Sequence, residues 1–119
     1  MTGSASGIGC CIAKTFLKNG ASVALVDYSN NVENVVKELQ TEANAQKVSI
    51  SSHVCDISKA NQVDKLLNDV ISAHTQFKAP NVIVNSAGIV RDAYMVKMTE
   101  DQFDQVIATN LKGFSNTFN

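Results

Sequence analysis

The sequence predicts an α/β protein built on a doubly wound parallel sheet. Two short apolar runs, SVALV and VIV, have the composition of strands that are covered on both faces. Around them, apolar residues recur every three to four positions, which is the spacing of amphipathic helices. Strands that alternate with helices form crossover units, and such units place their strands parallel in one sheet.

The first half of the chain is predicted to hold two helices and two strands. In the first helix, Ile8, Ile12 and Phe16 lie four positions apart on one side, and Gly20 follows as a stop. The second strand is the more polar one, so we expect it near an edge of the sheet. The elements are a helix over Ile8–Asn19, a strand over Ser22–Val26, a helix over Asn31–Asn44 and a strand over Val48–Val54.

The second half is predicted to add two helices, one strand and a loop. Ser58 is a suitable N-cap for the third helix, and Thr99 with Gln102 forms a capping box that begins the last helix. A strand over Val82–Val84 and a loop over Ser86–Met98 lie between these helices. The apolar stripes are Val63, Leu66, Leu67, Val70 and Ile71 in the third helix, and Phe103, Val106, Ile107, Leu111 and Phe114 in the last.

Composition and charge exclude several classes of protein. A length of 119 residues suits one domain, and 45% apolar with 18% charged residues suits a folded core. The formal net charge of -1 gives no electrostatic reason to bind nucleic acid. No apolar run reaches the ~20 residues that cross a bilayer, and the start of the chain does not resemble a secretory signal. We therefore expect neither nucleic acid nor membrane as a partner.

The cysteines and histidines do not predict a metal site. Cys10, Cys11 and Cys55 form no CxxC pair, so we expect buried free thiols in a reducing compartment. His53 and His74 have no second ligand at metal-binding spacing, which favours a structural or surface role for both.

The stretch TGSASGIG, at Thr2–Gly9, has the glycine spacing of a loop that binds nucleotide phosphates. Gly3, Gly7 and Gly9 allow positive φ angles and a close approach of pyrophosphate to the backbone. The helix that begins at Ile8 would add free N–H groups and a favourable dipole for the anion. A tight turn followed by an ordinary helix start also accounts for this spacing.

Asp27 ends the SVALV strand about 20 residues after the glycine loop, where a carboxylate can accept hydrogen bonds from an adenosine ribose. A 2′-phosphate would meet like charge there, and Tyr28 rather than an arginine follows. This pattern favours NAD over NADP. The alternative is an aspartate that caps the turn into Ser29–Asn31.

Two further strand ends carry candidate residues. In CDIS, Asp56 could accept a hydrogen bond from an adenine amino group while Ile57 lies against the ring; a turn aspartate is the alternative. In NSAG, Asn85 can satisfy loop backbone groups, and Ala87 and Gly88 leave room for a flat sugar or ring. Each motif is weak alone, but the order of all of them along alternating strands is far more specific.

Asn110 falls on the apolar stripe of the last helix, seven residues after Phe103. A buried amide in that position costs ~1–3 kcal/mol unless it is hydrogen-bonded. Two interpretations fit this residue. It either ties the helix to neighbouring backbone or belongs to an active site.

Together these motifs resemble those of the short-chain dehydrogenase/reductase family over essentially the whole chain. TGSASGIG is similar to the family's TGxxxGxG loop, CDIS to its adenine-binding segment, and TNLKG to the segment that carries a helix asparagine, here Asn110. NSAG is similar to the NNAG motif, from which Ser86 departs. The stretch from Asn81 to Phe114 resembles the branch that contains 17β-hydroxysteroid dehydrogenase type 8 and the 3-oxoacyl-[acyl-carrier-protein] reductases.

The resemblance implies a partial Rossmann-like, NAD(P)-binding domain over residues 1–119, whose first strand and carboxyl-terminal half lie outside the chain. With Asp27 in place, NAD is the expected cofactor, and residues of the four motifs are expected to bind it. They are Gly3, Ser4, Ser6, Gly7, Ile8, Gly9, Asp27, Asp56, Ile57, Asn85, Ala87 and Gly88. Asn110 is implied as a supporting catalytic residue.

The family's activity is hydride transfer between a nicotinamide and a secondary alcohol or ketone, here a hydroxysteroid or 3-oxoacyl compound. Its catalytic serine and YxxxK motif lie beyond TNLKG. Tyr94 and Lys97 are three apart and precede Asn110, and Ser115 comes too early, so none of them matches. We therefore expect the chain itself to be inactive. The alternative is a non-catalytic protein that binds NAD or pairs with other subunits.

The family places its first strand centrally, between the SVALV and VIV strands. Without that strand the polypeptide is expected to be of low stability, with exposed sheet edges. The resemblance also implies an oligomeric parent enzyme, formed from identical or different subunits. Cytoplasm and mitochondrial matrix are both compatible compartments.

Overall fold

The computed structural model describes residues 1–118, apart from the Met95 side chain, as alternating helices and strands. They are α1 (Gly7–Lys18), β1 (Val23–Asp27), α2 (Asn31–Gln46), β2 (Ile50–Val54), α3 (Ala60–Ala73), α4 (Glu100–Val106) and α5 (Phe114–Asn116). A 3-10 turn at Met95–Lys97 precedes α4, and π-helical turns at Ile107–Gly113 join α4 to α5. Residues 100–116 thus form one continuous helix, which we term the terminal helix. The α/β class is confirmed.

The sheet is parallel. Strands β1 and β2 pair along their whole length, from Val23 opposite Ile50 to Asp27 opposite Val54. Thr2 forms parallel bridges both to Val26 of β1 and to Asn85. The order across the described residues is therefore β2, β1, Thr2 and Asn85, with the polar strand β2 at an edge as predicted.

Helices cover both faces of β1, which explains its unbroken run of apolar residues. Val23 and Leu25 pack into the larger core cluster with α1 and α2, while Val26 faces the opposite way toward Cys55 and Ile57. Burying a side chain such as Leu25 contributes about 1.5–3 kcal/mol. The larger cluster comprises Ala5, Ala13, Leu17, Val23, Leu25, Val32, Val35, Leu39 and Ala43.

The predicted strand over Val82–Val84 is not formed. Val82 and Ile83 are 60% and 46% exposed, and the pairing is limited to the neighbourhood of Thr2, whose N–H donates to the Val84 carbonyl at 2.9 Å. In a parallel ladder, the residues opposite Val82 and Ile83 would precede Thr2. The bridge between Thr2 and Asn85 puts Met1 opposite Val84, so the given sequence has no residue opposite Val82 or Ile83.

The buried face of α1 also differs from the predicted one. Ile8 is 75% exposed, and the helix instead buries Gly9, Ala13 and Leu17. The buried residues also lie four positions apart, but each comes one position after the predicted one. The reason is tertiary, because Gly9 has to face the glycine loop.

The helix starts were predicted with mixed success. The capping box is confirmed, since Thr99 Oγ1 accepts from the Gln102 N–H and the Gln102 side chain accepts from the Thr99 N–H. Ser58 is not an N-cap, because α3 begins at Ala60 with Lys59 as its cap. The Ser58 hydroxyl donates instead to Asp56 at 2.7 Å.

The apolar stripe of the terminal helix lies on its exposed side, contrary to expectation. Phe103, Leu111 and Phe114 are 53%, 62% and 48% exposed. Asn110 is exposed too, so its amide does not carry the burial cost that its place on the stripe suggested. The buried residue of this helix is Gly113.

The cysteines are free, but they differ in burial. Cys55 is buried as expected, Cys10 is half-buried, and the prediction is wrong for Cys11, which is exposed on α1. Within residues 1–118, no helix combines the length and the apolar character that crossing a bilayer requires.

Two histidines and a serine form a hydrogen-bonded cluster on the α3 side of β2. Ser51 and His53 lie two positions apart on one face of β2, and His74 follows α3. The Ser51 hydroxyl is 2.8 Å from Nε2 of His53 and 2.8 Å from Nε2 of His74, which is buried. Because a hydroxyl has one proton, Ser51 donates to one ring and accepts from the other. This geometry suits neutral rings and gives His74 a structural role.

The surroundings of both rings oppose protonation. Burial is the largest cause that lowers the pKa of His53; Asp69 on α3 raises it, while His74 and the Met1 amino group lower it. Burial also lowers the pKa of His74. If both rings were charged, two cations would donate to the half-buried Ser51 hydroxyl, which could then donate to neither ring.

We expect the free energy of unfolding to fall as the pH drops below 6.5, the ordinary pKa of histidine, toward the lower pKa values of the folded chain. In that window the unfolded chain binds protons that the folded cluster excludes. Above it both rings are neutral in the folded and in the unfolded chain, and the full contribution of the two histidines to stability is present. Urea unfolding at about pH 7.5 and about pH 5.5, followed by circular dichroism, measures the difference.

The control is the double variant His53→Gln, His74→Gln, which removes both histidines of the chain. It should lose the histidine part of the decrease, while the part caused by the Met1 amino group, whose pKa burial lowers to about 6, remains in both proteins. An equal decrease in the double variant would show that other groups cause it.

Candidate functional site

A cleft of about 930 Å³ opens at the carboxyl ends of β1 and β2. Ligands of open α/β sheets bind at this end of the strands, and cavities of about 300–1,000 Å³ are typical of small-molecule sites. Most of the residues proposed from the sequence line it. They are Gly3, Ser6, Gly7, Ile8, Gly9, Asp27, Asp56, Ile57, Ala87 and Gly88.

The glycine loop fits tightly between α1 and the NSAG bend. Gly3 has a φ of 64°, and a Cβ there would lie 2.7 Å from backbone atoms of Ser86 and Ala87. A Cβ on Gly9 would overlap the Gly3 carbonyl oxygen. Gly7 has a φ of 54° but open space around it, so its requirement is conformational alone. Two of the three glycines are thus needed because backbone segments meet without room for side chains.

The amino-terminal end of α1 faces this cleft. The backbone bond from the Cys10 N–H to the Ser6 carbonyl, at 3.2 Å, closes the first turn. The N–H groups of Gly7, Ile8 and Gly9 come before it and have no acceptor within the helix. Together with the helix dipole, these donors form a site that favours an anion.

Ser4 and Asn85 do not line the cleft, although both were proposed to bind the cofactor. Ser4 is fully buried, and its hydroxyl donates to the Val26 carbonyl at 3.1 Å. Asn85 accepts from the Thr2 hydroxyl at 3.3 Å and donates to the Thr117 hydroxyl at 2.9 Å. Both side chains therefore stabilise the loops by hydrogen bonds to other protein groups outside the cleft.

Thr2 holds the NSAG bend and was not identified from the sequence as a site residue. Its buried hydroxyl accepts from the backbone N–H groups of Ser86 and Ala87, at 3.2 and 3.3 Å. The signal was present, because Thr2 directly precedes Gly3 in the glycine motif.

Asp27 joins the glycine loop to the turn after β1. One carboxylate oxygen accepts from the Ala5 N–H and the other from the Ser29 N–H, both at 3.0 Å. The turn expected as the alternative role is therefore present. A carboxylate has about four acceptor positions, so each oxygen can still accept from a ligand in the cleft. Neither of these donors is a cation.

The segment after β2 forms another wall. Asp56 accepts from both the N–H and the hydroxyl of Ser58 through the same oxygen, Oδ1, so its turn role is also present. Ile57 is buried and packs with Cys55, which gives the wall an apolar surface. Burial and the neighbouring Asp56 raise the pKa of the Cys55 thiol, so it stays protonated near neutral pH.

Asn110 ties the terminal helix to the loop after Gly88. Its Oδ1 accepts from the Ile89 N–H at 2.8 Å, and its Nδ2 donates to the Ile89 carbonyl at 3.0 Å. The first of the two interpretations of this residue is thus the arrangement observed. Tyr94 is 80% exposed, directly before the 3-10 turn that ends at Lys97, and is not among the residues that line the cleft.

The sequence motifs did not indicate the other residues that line the cleft, because these lie next to the motifs or in the terminal helix. Only packing of that helix against the NSAG loop brings Gln105, Ala108 and Thr109 to the site. The residues not proposed are Val26, Tyr28, Val54, Cys55, Ser58, Lys59, Gln62, Ser86, Ile89, Arg91, Gln105, Ala108 and Thr109.

Comparison with known proteins identifies the family. The family model for short chain dehydrogenase matches residues 1–119, the whole chain. The chain belongs to the short-chain dehydrogenase family. That membership agrees with the parallel sheet, the glycine loop and the place of the cleft.

Two relatives and one solved structure show the range of the similarity. The chain is 35% identical over 117 residues to a 3-oxoacyl-[acyl-carrier-protein] reductase of Thermotoga maritima. The matched region covers 98% of this chain and 45% of the reductase. It is 34% identical over 117 residues to a (3R)-3-hydroxyacyl-CoA dehydrogenase of Canis lupus familiaris, covering 95% of this chain and 44% of the dog protein.

The solved structure is one of several similar ones, an alcohol dehydrogenase of the archaeon Thermococcus sibiricus in complex with 5-hydroxy-NADP. It superposes with a TM-score of 0.87 at 30% identity, over 99% of this chain and 48% of that one. This short-chain dehydrogenase thus spans just under half the length of the proteins that it matches.

The contact between Gly9 and Gly3 predicts a large difference between two glycine substitutions. Gly9→Ala should lower the free energy of unfolding by at least about 2 kcal/mol, because a methyl group overlaps backbone that cannot move aside. Gly20→Ala is the control: its φ of 82° is strained, but no atom lies within 4 Å, so about 1 kcal/mol is expected. Urea titration measures both, and equal losses would disprove the contact.

Proposed function

We propose that this chain is the NAD-binding part of an oxidoreductase that acts on secondary alcohols or ketones. The observation that carries the proposal is that the amino-terminal end of α1, Asp27 and Ile57 all line one cleft. When bound, NAD would supply the hydride acceptor or donor of the reaction. The residues of the chain would bind and orient it.

Each part of the dinucleotide has a matching group. The pyrophosphate suits the N–H groups of Gly7, Ile8 and Gly9, and the absent Cβ atoms of the loop allow its close approach. The adenosine ribose suits the open acceptor positions of Asp27. The adenine suits the apolar surface of Ile57, with Asp56 Oδ2 as acceptor for its amino group. Ala87 and Gly88 leave space for the remaining sugar.

The charge around Asp27 supports NAD rather than NADP. A 2′-phosphate would approach a carboxylate whose two hydrogen bonds come from neutral N–H groups. Two cations, Lys59 and Arg91, also line the cleft, but the hydrogen bonds to Asp27 within residues 1–118 come from neither of them, and the Arg91 guanidinium donates to Gln105 and to the Val90 carbonyl.

Substrate class and turnover are further parts of the proposal. The names of the Thermotoga and dog relatives support 3-oxoacyl or 3-hydroxyacyl compounds, and a hydroxysteroid is the other secondary alcohol considered. Asn110 would support catalysis by holding the Ile89 loop. No YxxxK sequence occurs in these 119 residues, so we expect the chain alone to bind nucleotide without turning over substrate.

The exposed apolar stripe of the terminal helix supports a second candidate, a non-catalytic protein that pairs with other subunits. The rings of Phe114 and Phe118 are tilted by 57° with centroids 4.9 Å apart, and the two residues are 48% and 62% exposed. Such a protein could still bind NAD. Sedimentation with and without NADH distinguishes an isolated nucleotide-binding chain from a subunit-pairing one.

We expect the chain to bind NADH more tightly than NADPH, and Asp27→Asn to reduce this preference. The amide keeps the size of the side chain but loses the charge, so NADH affinity should fall about tenfold while NADPH binding is weakened less. Fluorescence titration with both nucleotides measures the ratio of the two dissociation constants.

Asp64→Asn, at an exposed position of α3, is the matched control and should leave the ratio unchanged. If Asp27→Asn does not alter the ratio, Asp27 does not select the cofactor. If the unmodified chain binds neither nucleotide, the proposed function itself is wrong.

A further inference from the structure

The terminal helix contacts Ile57, which forms the apolar wall of the cleft after β2, at two points. Gly113 is buried against Ile57, and a Cβ on Gly113 would lie 2.8 Å from Cγ1 and 2.9 Å from Cδ1 of that side chain. Asn116 donates from Nδ2 to the Ile57 carbonyl at 2.8 Å, a bond between residues 59 apart in the chain. Side chain and backbone of Ile57 are therefore both held by one helix.

These contacts depend on the irregular turns of the helix. The π-helical turns over Ile107–Gly113 contain more residues per turn than an α-helix, which changes the direction in which later side chains project. Asn116 comes after them in α5 and reaches Ile57 instead of solvent. Such turns occur frequently at functional sites.

Ile57 would be hard to hold in place by local bonds alone. Its neighbours make turn contacts among themselves, with Asp56 Oδ1 bonded to Ser58 and the Asp56 carbonyl accepting from the Lys59 N–H at 3.0 Å. Neither of these bonds includes Ile57. Asn116 supplies a directional bond from outside the turn, at the residue whose side chain forms the apolar wall.

We propose that Asn116 is a positioning residue for the adenine end of the cleft, acting through the Ile57 carbonyl. This inference rests on the proposed NAD binding. A net hydrogen bond is worth up to about one power of ten in an equilibrium constant, so we expect Asn116→Ala to weaken binding of ADP-ribose about three- to tenfold. Asn116→Asp keeps the volume of the side chain without the donor and should show at least the same loss, because its carboxylate would face the Ile57 carbonyl.

The matched control is Asn68→Ala on α3. Asn68 also donates from its amide to a backbone carbonyl, that of Asp64 at 3.2 Å, but it does so within its own helix and away from the cleft. Calorimetric titration of ADP-ribose into the full chain should give the same affinity for this variant as for the unmodified protein. Equal weakening in Asn68→Ala and Asn116→Ala would overturn the proposal, because it would indicate general loss of stability.

A second measurement tests the positioning without a ligand. Hydrogen–deuterium exchange of the Asn116 variants should accelerate at residues 55–59 and stay unchanged in β1 and α2. Acceleration throughout the chain, or none at 55–59, would overturn the role of Asn116 whatever the affinities are. Failure of the unmodified chain to bind ADP-ribose would instead count against NAD binding, and exchange would still decide whether Asn116 fixes Ile57.

Discussion

The architecture of the cleft depends on one steric constraint, the backbone contact between Gly9 and Gly3. With no side chain on either residue, the first turn of α1 can press directly against the glycine loop. Gly3 in turn touches the backbone of Ala87, which comes more than 80 residues later in the sequence. A helix start, a loop and a distant bend therefore meet at one point with no intervening side chain. This close approach brings the helix N–H donors and the NSAG bend to the same opening.

The terminal helix stabilises the other side of the cleft by polar contacts. Asn110 bonds to Ile89, Asn116 to Ile57, and Thr117, directly after the helix, to Asn85, so this end of the chain reaches both the segment after β2 and the NSAG bend. Hydrogen bonds are directional, unlike apolar contacts, and so they orient loops as well as attach them. This accounts for a helix whose large apolar residues are exposed while it still determines the shape of the site.

Sequence reasoning succeeded where the determinants are local. The strand before Asp27 and the Thr99 capping box follow from a run of apolar residues and from a cap pattern, and both are present. The VIV strand and the buried face of α1 were wrong because each depends on a partner distant in sequence. VIV lacks paired residues opposite Val82, and Gly9 faces the core because the glycine loop lies against it.

The site was predictable to a similar degree. Glycine spacing and strand ends brought most of the proposed residues to the cleft, since carboxyl ends of parallel strands share one edge. Ser4 and Asn85 were misplaced because a motif does not reveal whether its polar side chains face ligand or backbone. Asp27 holds backbone groups and still has acceptor positions for the proposed contact with a ribose. Its oxygens already hold Ala5 and Ser29, so a ribose would add to an ordered network rather than create one. A carboxylate fixed in this way needs little reorganisation on binding, which favours affinity.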